Sequence, residues 1–118
     1  MLTILPESQG KVLALEASDW LTDDDYQRLV SEIERVVKEC GHIRFYWRLY
    51  DFRGWTPEAA WDDFKVGMKH RHNVERIAMV GDRAWEQWII RLIKPFTDAE
   101  AKYFDHSQSE EAWKWVEA

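Results

Sequence analysis

One cysteine, Cys40, stands in a chain of 118 residues, so no disulfide can form within it. A lone thiol fits a reducing compartment. Long apolar runs are missing too: no window approaches the ~18–20 residues that a membrane span needs. The first residues, Met1 to Pro6, lack the basic segment of a signal peptide. A cytoplasmic protein is expected, at most peripheral to the inner membrane. Basic charge is in short supply, and the net charge of −6 argues against general nucleic-acid binding. Glycine is sparse as well. Gly54, Gly67 and Gly81 are isolated, so there is no glycine-rich phosphate loop. No repeat, low-complexity segment or linker breaks the chain, and its length predicts one domain over residues 1–118.

What the chain does have is tryptophan. Five of its eight tryptophans (Trp47, Trp55, Trp61, Trp85 and Trp88) fall between Ile43 and Trp88. The same region holds what little basic bias exists. From Arg53 to Lys94 there are eight Lys/Arg and six Asp/Glu, a local +2, against −8 for the rest. Such a bias is either chance clustering on a solvated surface or a face that meets anionic groups.

The pattern along the chain predicts strands at Leu2–Leu5, Lys11–Ala17, Ile43–Phe52, Arg76–Val80 and Ala101–Phe104. It predicts a helix over Asp23–Cys40, with Thr22 as N-cap and Gly41 after its end. A second helix starts at Thr56-Pro57, with Ala60, Trp61, Phe64 and Met68 as its inner stripe and Lys65, Lys69 and His72 beside it. A third starts with Asp82 as N-cap and ends at Lys94-Pro95. Its apolar stripe is Trp85, Trp88, Ile89, Leu92, Ile93 and Phe96, with Ile90 off the stripe and exposed. Ser107 and Glu110 read as a capping box for a last helix carrying Ala112, Trp113 and Val116. Strands alternating with helices mean an α/β fold: a mixed, mostly parallel sheet of about five strands flanked by four helices. In such sheets ligands favour the crevice beyond the carboxyl ends of the strands, here Asp51–Trp55 and Gly81–Trp85.

Several motifs in combination resemble the SpoIIAA-like proteins, small bacterial proteins with the fold of the STAS domain. They are D-F-R-G-W at Asp51–Trp55, W-D-D-F-K at Trp61–Lys65, M-K-H at Met68–His70, E-R-I-A-M-V-G-D at Glu75–Asp82, W-E-Q-W at Trp85–Trp88, K-P-F at Lys94–Phe96 and A-E-A-K-Y-F-D at Ala99–Asp105. The resemblance implies a non-enzymatic protein that holds a lipophilic ligand and associates with membranes. Its second and third helices would border the pocket and move apart to open it. The related anti-anti-sigma factors are phosphorylated on a serine just after the third strand. This chain has Arg53-Gly54-Trp55-Thr56 there, with no serine, so that switch is not expected.

The candidate ligand contacts are Trp55, Trp61, Phe64, Met68, Trp85, Trp88, Ile89, Leu92 and Ile93. For any one of them plain core packing competes with a pocket role. Several indoles on adjacent helices nevertheless suit a pocket or a membrane interface, because each N–H wants a partner. Asp51, Arg53 and Gly54 form a second candidate, a turn that orients a polar head or simply closes on its own ion pair, with Gly54 supplying a backbone shape closed to side chains. Lys65, Lys69, Arg91 and Lys94 are the candidates for membrane or anion contact, and Lys65, Lys69 and Arg53 would steer an anionic head. Metal and cofactor sites are not expected. Cys40/His42 and His70/His72 are i, i+2 pairs that do not converge, and the adjacent Asp62 and Asp63 read as a solvated face. Two functions remain open: a carrier of a lipophilic small molecule, or a regulatory module whose apolar helix pair binds a protein partner or a second copy.

Overall fold

The structure, a computed structural model covering residues 1–118, turns these patterns into nine main elements. They are β1 (Leu2–Ile4), β2 (Val12–Leu21), α1 (Asp23–Cys40), β3 (Ile43–Trp55), α2 (Pro57–Lys69), β4 (Val74–Gly81), α3 (Gln87–Ile93), β5 (Glu100–Asp105) and α4 (Ser109–Glu117). β1 pairs antiparallel with β2, and β2 to β5 pair in parallel, in chain order, so the sheet runs β1-β2-β3-β4-β5. This is the expected mixed, mostly parallel five-stranded sheet with four helices.

That strand order decides where the helices go. Parallel strands laid down in chain order are joined by crossovers of one hand, so successive crossover helices fall on one face. Leu13, Leu15, Phe45, Leu49 and Met79 point to that face and pack with α1 and α3 residues such as Leu29, Ile33 and Ile89. The opposite face carries Val12, Ala14, Tyr46, Ala78, Val80 and Phe104 and is covered by Ala112 and Val116 of α4.

Helix α1 has its expected ends. Thr22 Oγ1 accepts from the Asp25 N–H, the Asp25 carboxylate accepts from the Thr22 N–H, and Gly41 closes the helix at φ 80°. Two strands are longer than their apolar patterns. β2 continues to Leu21 and β3 to Trp55, because Asp19 (φ 54°) and Asp51 (φ 49°) take left-handed conformations at a bulge. Pairing resumes beyond it at Trp20↔Gly54 and Leu21↔Trp55. The Asp51–Trp55 segment is therefore a strand end and not a turn. Gly54 sits at φ 128°, and a Cβ there would also meet the Trp20 ring at 3.4 Å.

The third helix is not one continuous helix from Asp82. A 3-10 turn over Ala84–Glu86 precedes α3, and another over Lys94–Phe96 follows it. The Glu86 carboxylate accepts from the Arg83 N–H at 3.1 Å, so the cap comes from within the turn and not from Asp82. The Ser107/Glu110 box is also replaced. Asp105 accepts from the Ser107 N–H at 3.0 Å, and Gln108 Oε1 accepts from the Asp105 N–H at 3.1 Å. No helix is long and apolar enough to cross a membrane.

Candidate functional site

Beneath α2 the core is not solid. A cavity of about 190 Å³ lies between the sheet and the three crossover helices, and 19 of its 23 lining residues are hydrophobic. Trp47, Leu49, Ile77 and Met79 form its floor, Leu29 and Ile33 of α1 one wall, Ile89 and Ile93 of α3 the other. Helix α2 is the roof.

The roof shows the opposite face to the one its aromatic pattern suggests. Ala59, Asp63, Val66 and His70 recur at i, i+4, i+7 and i+11 and turn inward. Ala59 is fully buried and His70 is only 8% exposed. The expected inner stripe instead reaches solvent, with Trp61 60% exposed and Phe64 and Met68 also exposed. Phe64 and Met68 still line the cavity, at its rim.

α3 departs in the same way. Ile89 and Ile90 are both buried, so Ile90 is not the exposed position, while Trp88 (59%) and Leu92 (70%) face solvent. Of the nine candidate ligand contacts, Trp55, Phe64, Met68, Ile89 and Ile93 line the cavity. Trp61, Trp85, Trp88 and Leu92 do not. With Phe64, Met68 and Phe96 these four are large apolar side chains left exposed on α2, α3 and the turns flanking α3. Trp61 stacks on Phe64 (5.7 Å between centroids), and Phe64 meets Phe96 edge-on at 5.7 Å, so these rings join α2 to the turn that follows α3.

Four polar residues line the cavity, Tyr26, Asp63, His70 and Thr97, and the inward turn of Asp63 and His70 escaped the pattern. The Trp55 indole N–H donates to the Tyr26 hydroxyl at 2.8 Å, and that hydroxyl donates to Asp63 Oδ1 at 2.7 Å. Asp63 is thus not part of a solvated face. Burial pushes its carboxyl above the ordinary range, while the Tyr26 hydrogen bond pulls the other way. Burial, then the Asp63 charge, pushes the Tyr26 hydroxyl well above its ordinary value, so it stays a donor and not a nucleophile. The i, i+4 spacing of Ala59 and Asp63, continued to Val66 and His70, was the available signal, masked by the bulkier stripe opposite.

The crevice beyond the strand ends is closed. Sheets that bind ligands there reverse their strand order at a switch point, and this sheet has no reversal. Arg83 fills the place by donating to Asp51 Oδ1 at 2.5 Å and to the Phe52 carbonyl at 3.2 Å, and Trp85 stacks on Phe52. Asp51 and Arg53 do not pair with each other, since Arg53 reaches Asp19 at 3.2 Å. Among the basic candidates, Lys65 pairs with Asp62 and Lys69 with Glu34. Arg91 lies 4.6 Å over the Trp88 ring, and Lys94 has no carboxylate within ion-pair distance. His72 is not on α2, which ends at Lys69, and it faces Asp98 at 2.9 Å. Nowhere do three His, Cys, Asp or Glu side chains converge as metal ligands would.

No curated protein matches the chain. Among solved structures, the crystal structure of an uncharacterised protein of the DUF3478 family with a SpoIIAA-like fold, from Shewanella loihica PV-4, is 28% identical. It superposes with a TM-score of 0.82 over 98% of this chain and 93% of that one. The SpoIIAA-like fold suggests a binding or protein-interaction module. A family model for SpoIIAA-like proteins matches residues 12–117, and the chain belongs to that family.

Proposed function

We propose that this protein is a non-catalytic binding protein that holds a lipophilic small molecule in the cavity beneath α2. The observation that carries the reading is the cavity itself: about 190 Å³, lined almost wholly by apolar side chains, inside the main core. A void of that size left empty forfeits packing contacts, at a cost of roughly 24 cal/mol per Å³. An occupant restores them. The size also bounds the occupant. An apolar cavity of about 150 Å³ takes benzene, whereas drug-sized ligands occupy ~300–1,000 Å³. A cavity of this size suits a substituted benzene or a short alkyl chain, and a long acyl chain would extend past its rim at Phe64 and Met68. Native mass spectrometry of the freshly purified protein, set beside its denatured mass, tests this. Excess mass that disappears on denaturation supports a carrier, and a clean apo monomer that also fails to take up small hydrocarbons overturns it.

A second reading rests on the exposed apolar side chains of Trp61, Trp88, Leu92 and Phe96. Contiguous apolar surface on a soluble protein marks a docking site. On this reading the helix pair is a regulatory interaction face for a protein partner, a second copy or the surface of the inner membrane. A concentration-dependent dimer without bound ligand would favour it over the carrier.

A further inference from the structure

The charge inside the cavity is one-sided. None of its lining residues is a lysine or arginine, and Asp63 is its one carboxylate. The cations expected to greet an anionic head, Arg53, Lys65 and Lys69, are each paired with a carboxylate outside it. Within the wall one chain of side-chain hydrogen bonds ends on Asp63: Trp55 donates to Tyr26, and Tyr26 donates to Asp63 Oδ1. Asp63 Oδ2 receives no bond from the protein, and no basic side chain approaches the group within 4 Å. An ionised carboxylate is acceptor-only, and Asp63 is half-buried, its Oδ2 reaching solvent rather than being sealed in the core. One acceptor site in an otherwise apolar chamber is therefore left open for a donor, and a positively charged donor fits it best.

Resting on the carrier reading above, we infer that the ligand is a small lipophilic amine, its apolar body among Trp47, Leu49, Ile77 and Met79 and its ammonium group on Asp63 Oδ2. The aromatic walls suit this occupant, because ring faces attract cations. The raised carboxyl of Asp63 is consistent with an acid awaiting its counter-ion. His70, two helical turns along α2 and about 10 Å away along its axis, lies too far off to compete for the same head. An anionic ligand, by contrast, would set a carboxylate against Asp63 with no cation to separate them.

Three probes of equal length decide the matter: 2-phenylethylamine, phenylacetate and neutral propylbenzene. Each is titrated at neutral pH into the whole protein, following the Trp55 indole N–H resonance by NMR. The expected result is that the amine binds at least tenfold more tightly than the acid. Asp63→Asn should abolish that preference while leaving propylbenzene bound, and Tyr26→Phe, which keeps the carboxylate, should retain it. Equal affinity for amine and acid, or a preference that survives Asp63→Asn, overturns the inference. Should Asp63→Asn fail to fold, the wild-type ratio decides alone. Propylbenzene that binds without any preference for the amine sinks this inference only. Failure of all three probes sinks the carrier reading with it.

Discussion

Glu86 folds its carboxylate against the backbone of Gly81, so closely that a Cβ on Gly81 would overlap Glu86 Oε1 and come within 2.8 Å of the Tyr103 hydroxyl. Glu86 cannot swing away, because Oε1 accepts from the Arg83 N–H and from the Tyr103 hydroxyl and the side chain is fully buried. Gly81→Ala should therefore destabilise the fold by about 1–3 kcal/mol, the usual cost of overpacking. Urea unfolding measures it. A change under ~0.5 kcal/mol would show that Glu86 moves freely.

Glu86 itself should make stability depend on pH. Its Oε2 has no partner, and burial, the largest influence, raises its pKa above the ordinary value. A carboxyl raised in the folded state prefers to be protonated there. Its contribution is full below the unfolded value near 4.5 and is lost as pH rises through the folded value. Glu86→Gln keeps an acceptor at Oε1 and removes the buried charge. It should be more stable than wild type at pH 7 and level with it at pH 4. Denaturant titrations at the two pH values test the sign.

Glu75 works in the opposite direction. Arg44 Nε at 2.8 Å, and then Lys11 Nζ at 3.0 Å, hold its carboxyl down at about 2. A depressed folded value stabilises above the unfolded 4.5 and loses that contribution as pH falls through about 2. Glu75→Gln should cost stability at pH 7, and the gap to wild type should close between about pH 4.5 and 2. A gap that does not depend on pH would mean the ion pairs contribute nothing.

Val66 hangs from α2 into the cavity. Val66→Phe should fill space that now stands open. Stability should hold or rise, as with other cavity-filling changes, by up to ~2 kcal/mol. Uptake of propylbenzene should fall at least tenfold. Unchanged uptake would place the binding site elsewhere.

Trp88 and Leu92 are exposed, so charging them leaves the core intact. Trp88→Glu with Leu92→Glu should change stability by less than about 0.5 kcal/mol per site. If the helix face docks on anionic vesicles or on a second copy, the double variant should lose vesicle co-sedimentation or dimerisation. Wild-type behaviour in both assays would remove the face from consideration. Lys65→Glu with Lys69→Glu separates charge from apolar contact in the vesicle assay.

Much of the fold was legible in the sequence. The strand–helix alternation, Thr22 and Gly41 at the ends of α1, and Thr56-Pro57 at the start of α2 are local signals, and the structure keeps them. The ends of β2 and β3 were not legible, because Asp19 and Asp51 adopt positive φ only when the two strands bulge together. Nor was the partner of Asp51. Arg83 lies 32 residues away and meets it only through the pairing of β3 with β4.

The amino-acid sequence by itself determined the layered α/β architecture, since hydrophobic period and capping chemistry act within a few residues of one another. Tertiary structure alone decided which side of α2 faces inward. The helix carries two candidate stripes about half a turn apart, one through Trp61, Phe64 and Met68 and one through Ala59, Asp63, Val66 and His70. Hydrophobicity favours the first. The folded chain turns the second inward, because the small Ala59 lets α2 close on the core and Tyr26 of α1 holds the Asp63 carboxylate.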